Sequence, residues 1–245
     1  MQPATDMQTM TLLGAGFVFG MKHALEADHL AAVSTIVSER KSWLSSSIIG
    51  GLWGLGHTIS LFVAGALVLF LKIQISDRTA NNLELGVGLM LVGLGLNALW
   101  KIRQRNKLHL HQHQHSARVH LHPHFHDQES ASQHSQKEPS HHNYAVGKRP
   151  FLIGLVHGLA GSAALMLLVL SSLPTPLLGM IYIAVFGAGS IIGMMLLSSL
   201  LGLPFHLTSS RFRLANLSAC VLAGIFSVGC GLLIIYEKGN FQSHN

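Results

Sequence analysis

Residues 14–32 read GAGFVFGMKHALEADHLAA, an apolar stretch interrupted by the polar run His23-Ala24-Leu25-Glu26-Ala27-Asp28-His29. Apolar residues on both sides extend this stretch to 11–35, and roughly 20 such residues suffice to cross a bilayer. Ionisable groups at membrane depth are energetically costly, so they are expected to be partnered and functional. The stretch therefore predicts a membrane-spanning helix built around a polar site.

The composition of the whole chain indicates a membrane protein. Of 245 residues, 49% are hydrophobic and only 11% are charged, whereas a soluble domain carries about 25% charged residues. Six stretches are long enough to span a bilayer, at 11–35, 46–71, 83–100, 151–172, 177–203 and 214–236. We therefore expect an all-α, polytopic membrane protein embedded in the lipid bilayer with six transmembrane helices.

The basic residues predict the orientation of these spans. With the N-terminus outside, twelve basic residues fall on the inner side: Arg40, Lys41, Lys101, Arg103, Arg105, Lys107, Arg118, Lys137, Lys148, Arg149, Arg211 and Arg213. Only Lys72, Arg78 and Lys238 fall outside. This bias predicts a protein of the cytoplasmic membrane with both termini outside. The formal net charge of +6 thus reflects topology, and no nucleic-acid partner is expected.

The two halves of the chain resemble each other. Residues 17–27 align with 151–161 at an offset of 134, which matches Gly20 with Gly154 and His23 with His157. Later spans match at nearly the same offset: Gly54 with Gly187, Gly56 with Gly189, His57 with Ser190, Gly88 with Gly224, Gly93 with Gly229, and Gly95 with Gly231. Three spans per half predict a 3+3 inverted repeat, as in secondary transporters. We expect membrane repeats at 1–100 and 150–245, joined by a loop at 101–149.

The polar run has the chemistry of a transition-metal site. Imidazoles with carboxylates nearby suit Ni²⁺, Co²⁺ or Zn²⁺, whereas Mg²⁺ prefers oxygen ligands. In one regular helix Asp28 would point about 140° away from His23. Either the helix unwinds there, or Asp28 orients an imidazole through its second ring nitrogen. The predicted metal-site residues are His23, Glu26, Asp28, His29, His57 and His157, with His157 the weakest candidate because Ser162 and Ala163 follow it where Asp28 and His29 follow His23.

Two motifs resemble signatures of the nickel/cobalt transporter superfamily. The run His23-Ala-Leu-Glu26-Ala-Asp28-His29 resembles its HAxDADH motif, and Gly54-Leu-Gly56-His57-Thr58 resembles its LGH(S/T) motif. The layout is similar to the urease-accessory-like branch of nickel permeases. The resemblance implies transport of Ni²⁺ or Co²⁺ as substrate, with no cofactor, through His23, Asp28, His29 and His57. Glu26 departs from the usual Asp, and the extra leading helix of eight-span members is not expected here.

The loop at 101–149 contains eleven of the seventeen histidines: His109, His111, His113, His115, His120, His122, His124, His126, His134, His141 and His142. Its composition of His, Ser and Gln lacks the apolar residues of a core, so we expect disorder. Neutral imidazoles on a tether can collect divalent metal. A cytoplasmic metallochaperone is a candidate partner at this loop, and a plain solubilising linker is the alternative interpretation.

Several functions are compatible with these features. A metal permease leads, importing Ni²⁺ or Co²⁺ to supply urease or hydrogenase maturation, and efflux is its rival because no residue fixes direction. A metal-dependent intramembrane hydrolase would use His23 and His29 as ligands and Glu26 as general base. A bis-His haem carrier would use His57 and His157. HExxH-type spacing is absent, so we expect no enzyme activity. No nucleotide-binding motif occurs either, so we expect a secondary mode of transport.

The charge bias leads to a direct topology test. Cysteine introduced by Ser132→Cys in the loop should be protected from a membrane-impermeant thiol reagent in intact cells, whereas Ser243→Cys should be labelled. Because Cys220 and Cys230 lie inside a predicted span, they give a low background. Labelling of the Ser132→Cys variant from outside would overturn the predicted orientation.

Overall fold

The computed structural model describes residues 3–38, 42–72, 76–105, 109–115, 118–124, 145–160, 173, 175–209 and 213–243. Within these ranges it contains seven helices: α1 (Pro3–His23), α2 (Ala27–Val37), α3 (Trp43–Leu71), α4 (Asp77–Arg105), α5 (Ala145–Ala160), α6 (Pro176–Ser209) and α7 (Arg213–Ser243). Two strands, β1 (His109–His115) and β2 (Arg118–His124), lie between α4 and α5. The described parts of the predicted spans are therefore helical, except for residues 24–26 in the first span.

Four helices are long and apolar enough to cross a membrane: Trp43–Leu71, Asp77–Gln104, Pro176–Phe205 and Leu214–Asn240. They coincide with the predicted spans at 46–71, 83–100, 177–203 and 214–236. The helices extend beyond the predicted ends because polar residues at helix termini can continue the helix outside the hydrocarbon region. Part of the predicted span at 151–172, residues 161–172, lies outside the described residues.

The first predicted span is not one continuous helix, which corrects the sequence-based expectation. α1 ends at His23, and residues 24–26 form a turn in which the Leu25 N–H donates to the Lys22 carbonyl at 2.9 Å and the Glu26 N–H to the His23 carbonyl at 3.1 Å. Glu26 then adopts an extended conformation, with φ −65° and ψ 150°, which redirects the chain into α2. No Pro or Gly marks this break, so the local sequence does not predict it.

The core of the molecule surrounds α2. Small and apolar residues of this short helix are buried, namely Ala31, Ala32, Val33 and Val37. They pack in one cluster with Trp53 of α3, Leu91 of α4, Met194 of α6 and Ala223 of α7. Four longer helices thus pack around α2, and the polar run continues into its first turn, where His29 is buried.

Helices α1 and α6 lie parallel and touch through their backbones. A Cβ added at Gly20 would overlap the carbonyl oxygen of Phe186, and one added at Gly189 would overlap the carbonyl oxygen of Phe17. Glycine at these positions lets the two backbones approach more closely than any side chain permits.

The same pair of contacts recurs between α3 and α5. A Cβ at Gly154 would overlap the carbonyl oxygen of Trp53, and one at Gly56 would overlap that of Phe151. These glycines are the ones that the sequence matches with Gly20 and Gly189. The two helix pairs therefore pack in the same way, although they come from different parts of the chain.

Helices α4 and α7 cross antiparallel at a third set of glycines. A Cβ at Gly88 would meet the Gly231 carbonyl oxygen at 2.9 Å, and one at Gly95 would meet the Gly224 carbonyl oxygen at 2.6 Å. In the sequence, Gly88 matches Gly224 and Gly95 matches Gly231. The contact between Gly88 and Gly231 is therefore the counterpart of the contact between Gly224 and Gly95. Helix α6 also runs antiparallel to α3, as the contact of Gly50 with Met194 and that of Gly65 with Ile183 indicate.

The His-rich segment differs from the expected disorder at residues 109–115 and 118–124, which form strands. β1 and β2 pair antiparallel, with His109 opposite His124, His111 opposite His122, and His113 opposite His120. The composition predicted disorder, but histidine at every second residue has the two-residue period of a strand. The segment 125–144, with His126, His134, His141 and His142, lies outside the described residues.

The glycine contacts predict a stability difference between two matched variants. Gly56→Ala should lower the free energy of unfolding by about 1–3 kcal/mol, because the new methyl group must displace backbone of α5. Gly93→Ala is the control, since a Cβ there meets nothing within 4 Å. Thermal unfolding of the detergent-purified variants compares them, and equal midpoints would contradict the packing described here.

Candidate functional site

The break between α1 and α2 brings two histidines of the polar run together. His23 is the last residue of α1 and His29 is the third residue of α2. In a continuous helix these residues would be separated by about 9 Å along the axis. In the structure their ring centroids are 4.4 Å apart and the rings are nearly edge to face. The interruption of the helix thus creates a site that a regular helix would not form.

Two further histidines arrive from other helices. His57 lies at the middle of α3, and its Nε2 is 3.3 Å from Nε2 of His23. His157 of α5 places its ring centroid 4.4 Å from that of His29 and 6.0 Å from that of His57. The exposed fraction is 5% for His23 and 0% for the other three. The structure therefore gathers four buried imidazoles, which we call the histidine cluster (His23, His29, His57 and His157).

One carboxylate joins two of these imidazoles. Asp28 Oδ1 accepts hydrogen bonds from Nδ1 of His29 at 2.9 Å and from the backbone N–H of His29 at 2.8 Å. Asp28 Oδ2 accepts a hydrogen bond from Nε2 of His157 at 3.1 Å. Asp28 also lies in the first turn of α2, where the helix dipole favours a negative charge. The sequence left two alternatives open, an interrupted helix or an Asp28 that orients an imidazole. The structure shows both, because the helix is interrupted before Asp28 and Asp28 holds two imidazoles.

A second carboxylate serves the remaining histidine of the polar run. Glu26 Oε1 lies 2.9 Å from Nδ1 of His23. Its side chain is 46% exposed, so it borders the cluster without being enclosed in it. Each carboxylate accepts a hydrogen bond from a ring N–H, which leaves the lone pair of the other ring nitrogen available to a ligand.

Three ring nitrogens of the cluster are buried without a hydrogen-bond partner among the described residues. They are Nε2 of His29, Nδ1 of His57 and Nδ1 of His157. Leaving a buried polar atom unpaired costs about 1–3 kcal/mol. Three such atoms within one cluster are therefore unexpected in a purely structural network. A divalent ion bound in the cluster would accept lone pairs from nitrogens that the described residues leave unpaired.

The donor atoms form two groups of metal-binding size. The first consists of His23, His29 and His57, and the second of Asp28, His29 and His157. Within each group the ligand atoms lie within 4.8 Å of one another. Imidazole with at most one carboxylate suits Ni²⁺, Co²⁺ or Zn²⁺ better than Mg²⁺ or Ca²⁺. Small side-chain movements would bring these atoms to coordination distance.

Of the six residues predicted for the site, His157 is the one whose position the sequence left most open. The structure places it inside the cluster through its bond to Asp28. The sequence also missed Trp53, whose indole ring lies 5.1 Å from that of His29 and 5.5 Å from that of His157. Tryptophans of membrane proteins favour the membrane–water interfaces, and Trp43 and Trp100 lie near helix ends accordingly. Trp53 instead lies within a predicted span, and this unusual position was the signal in the sequence.

Comparison with known proteins gives one family. The family model described as "High-affinity nickel-transport protein", NicO, matches residues 9–212. The Urease accessory protein UreH of Bacillus sp. (strain TB-90) is 36% identical over 238 residues, which are 96% of this chain and 94% of that protein. No solved structure matches the chain at a significant level.

Two plant proteins are more distant relatives. The Chloroplast proteins FOR GROWTH AND FERTILITY 1 and 2 of Arabidopsis thaliana are 25% and 24% identical over 239 and 236 residues. The chain spans 61% and 58% of their respective lengths. The match to the first covers 96% of this chain and the match to the second 94%, so both extend across the two halves.

Proposed function

Because the chain belongs to the NicO family of high-affinity nickel-transport proteins, we propose that its histidine cluster is the point through which Ni²⁺ or Co²⁺ crosses the cytoplasmic membrane. The observation that carries this proposal is the set of three buried imidazole nitrogens that have no hydrogen-bond partner among the described residues. A site for a permanent structural contact would pair these atoms within the protein. A site for a transported ion keeps them available between one ion and the next.

The ligand set is His23, His29, His57 and His157, with Asp28 as a ligand or as the group that orients two imidazoles. The bond from Glu26 to Nδ1 of His23 directs Nε2 of that ring towards His57. A hydrogen bond from one ring N–H to a carboxylate fixes the tautomer and raises the basicity of the opposite nitrogen. The neutral imidazoles replace part of the hydration shell of the ion, and the Asp28 carboxylate offsets part of its charge.

The bundle is a six-span, 3+3 inverted repeat, in which α1 with α2, α3 and α4 correspond to α5 with the chain that follows it, α6 and α7. The recurring glycine contacts and the antiparallel course of α3 against α6 and of α4 against α7 support this arrangement. His57 lies fourteen residues from each end of α3, so the cluster is near the bilayer midplane. Sites of inverted-repeat transporters occur at that depth, beside discontinuous helices.

Uptake towards the cytoplasm is the direction that energetics favours. The membrane potential assists entry of each positive charge by about 2.3 kcal/mol per 100 mV, so a divalent ion gains twice that amount. The relative named Urease accessory protein UreH suggests that the imported nickel supplies a urease. The β1–β2 hairpin then receives the ion on the cytoplasmic side and passes it to a metallochaperone.

The haem alternative is disfavoured by the geometry of the cluster. The ring centroids of His57 and His157 are 6.0 Å apart. His29 lies beside the gap between them, with its centroid 5.3 Å from His57 and 4.4 Å from His157. A porphyrin held between His57 and His157 would need the space that the His29 ring fills.

Radioactive nickel uptake in cells tests the proposal. Cells expressing the wild type should accumulate nickel, and His23→Ala should reduce accumulation by at least about tenfold, because it removes a ligand. Ser190→Ala is the matched control, since Ser190 is the buried residue that corresponds to His57 in the other half. Expression in the membrane fraction is measured for each variant.

Release of nickel from preloaded cells, measured in the same experiment, distinguishes uptake from efflux. Faster loss from cells expressing the wild type would reverse the proposed direction. A well-expressed His23→Ala variant that transports like the wild type would overturn the proposed site.

A further inference from the structure

The two metal-binding groups in the cluster share one residue. His29 belongs to the group with His23 and His57 and also to the group with Asp28 and His157. The remaining members of the two groups do not overlap. Its ring is close to both groups, with its centroid 4.4 Å from that of His23 in the first and 4.4 Å from that of His157 in the second.

The two groups differ in where their ligands originate. The first group uses the end of α1, the start of α2 and the middle of α3. It adjoins the exposed turn at Glu26, whose carboxylate contacts His23. The second group connects α2 to α5 through the bond between Asp28 and His157, and it includes the only acidic side chain enclosed by the described part of the cluster.

Simultaneous occupation of both groups is unfavourable. Two divalent ions would compete for His29, and at a separation of a few ångströms inside a protein they would repel each other strongly. One ion can nevertheless exchange between the groups without leaving the protein, because His29 stays bound while the other two ligands change.

We propose that the two groups are successive positions of a single travelling ion, and that His29 is the ligand that hands the ion from one position to the other. This inference rests on the proposed transport function and goes beyond it. It assigns His23 and His57 to a first position beside the exposed turn, and Asp28 and His157 to a second position between the two halves. Transport needs both positions, whereas binding needs only one.

Trp53 provides a fluorescent reporter beside the histidine cluster. Its ring is 1% exposed and lies 5.1 Å from His29 and 5.5 Å from His157. Trp43 and Trp100 are 50% and 59% exposed, so Trp43→Phe and Trp100→Phe should be tolerated and leave Trp53 as the single tryptophan. Bound Co²⁺ at either position would quench its fluorescence at this short range.

The experiment titrates the purified full-length protein with Co²⁺ in this background and measures cobalt transport by the same variants in vesicles. His57→Ala removes only the first position and His157→Ala only the second. Each should retain quenching with a dissociation constant within about tenfold of the parent, a change of at most about 1.4 kcal/mol. Each should lose transport by at least about tenfold. His29→Ala should lose both quenching and transport.

His29→Gln is measured beside His29→Ala, with size-exclusion profiles, so that loss of binding is separated from loss of fold. If His57→Ala and His157→Ala abolish quenching as completely as a folded His29 variant, there is one indivisible site and the proposal is wrong. Wild-type transport by His157→Ala would also overturn it. If Co²⁺ neither quenches the Trp53 fluorescence of the parent protein nor is transported by it, the proposed function itself is wrong. That outcome is distinct from a failure of the division into two positions.

Discussion

The carboxylate of Asp28 holds together the parts on which the site depends. Its two oxygens accept hydrogen bonds from His29 of α2 and His157 of α5, helices that belong to different halves of the chain. A buried carboxylate is costly unless it is paired. Asp28 can form both bonds only because the chain leaves the helical path before α2, so the interruption at Glu26, the orientation of the imidazoles and the contact between the halves depend on one another.

The interruption is unusual because the local sequence does not require it. Residues 24–26 contain neither Pro nor Gly, and Glu26 precedes α2 without a side-chain hydrogen bond to its first turn. Two tight backbone bonds and the contact of Glu26 with His23 stabilise the turn. The exposed fraction of 46% for Glu26 means that the described residues do not enclose the turn. Under the proposed placement of the cluster near the bilayer midplane, lipid could not satisfy its polar groups. A water-accessible approach to His23 would satisfy them.

The sequence was sufficient to predict the helical class and four of the six spans, because hydropathy and length decide whether a helix can cross a bilayer. It was also sufficient to single out His23, Asp28, His29 and His57, since ionisable residues in an apolar stretch are rare. The bond between Asp28 and His157 was not predictable, because it joins residues 129 positions apart. The position of Trp53 beside the imidazoles and the pairing of β1 with β2 likewise depend on contacts that composition does not record.

The two halves share backbone packing but differ in chemistry. Matched glycines make matched contacts at the interfaces of α1 with α6 and of α3 with α5. At the corresponding side-chain positions, however, the first half has His57 where the second has Ser190, a buried hydroxyl without a partner among the described residues. The first half carries most of the candidate ligands. The second half contributes His157 and packs against the first through the matched glycines. Under the proposed function, this asymmetry lets the halves rearrange around a bound ion.

The most direct test of this account is anomalous diffraction at the nickel absorption edge from crystals of the nickel-loaded protein. We expect a peak within the histidine cluster, bound through His29 and at about 2.1 Å from imidazole nitrogens, the distance typical of metal–imidazole bonds. Its other ligands should be either His23 and His57 or Asp28 and His157. A well-ordered cluster without an anomalous peak, in crystals whose only nickel lies on the His-rich segment, would contradict the account.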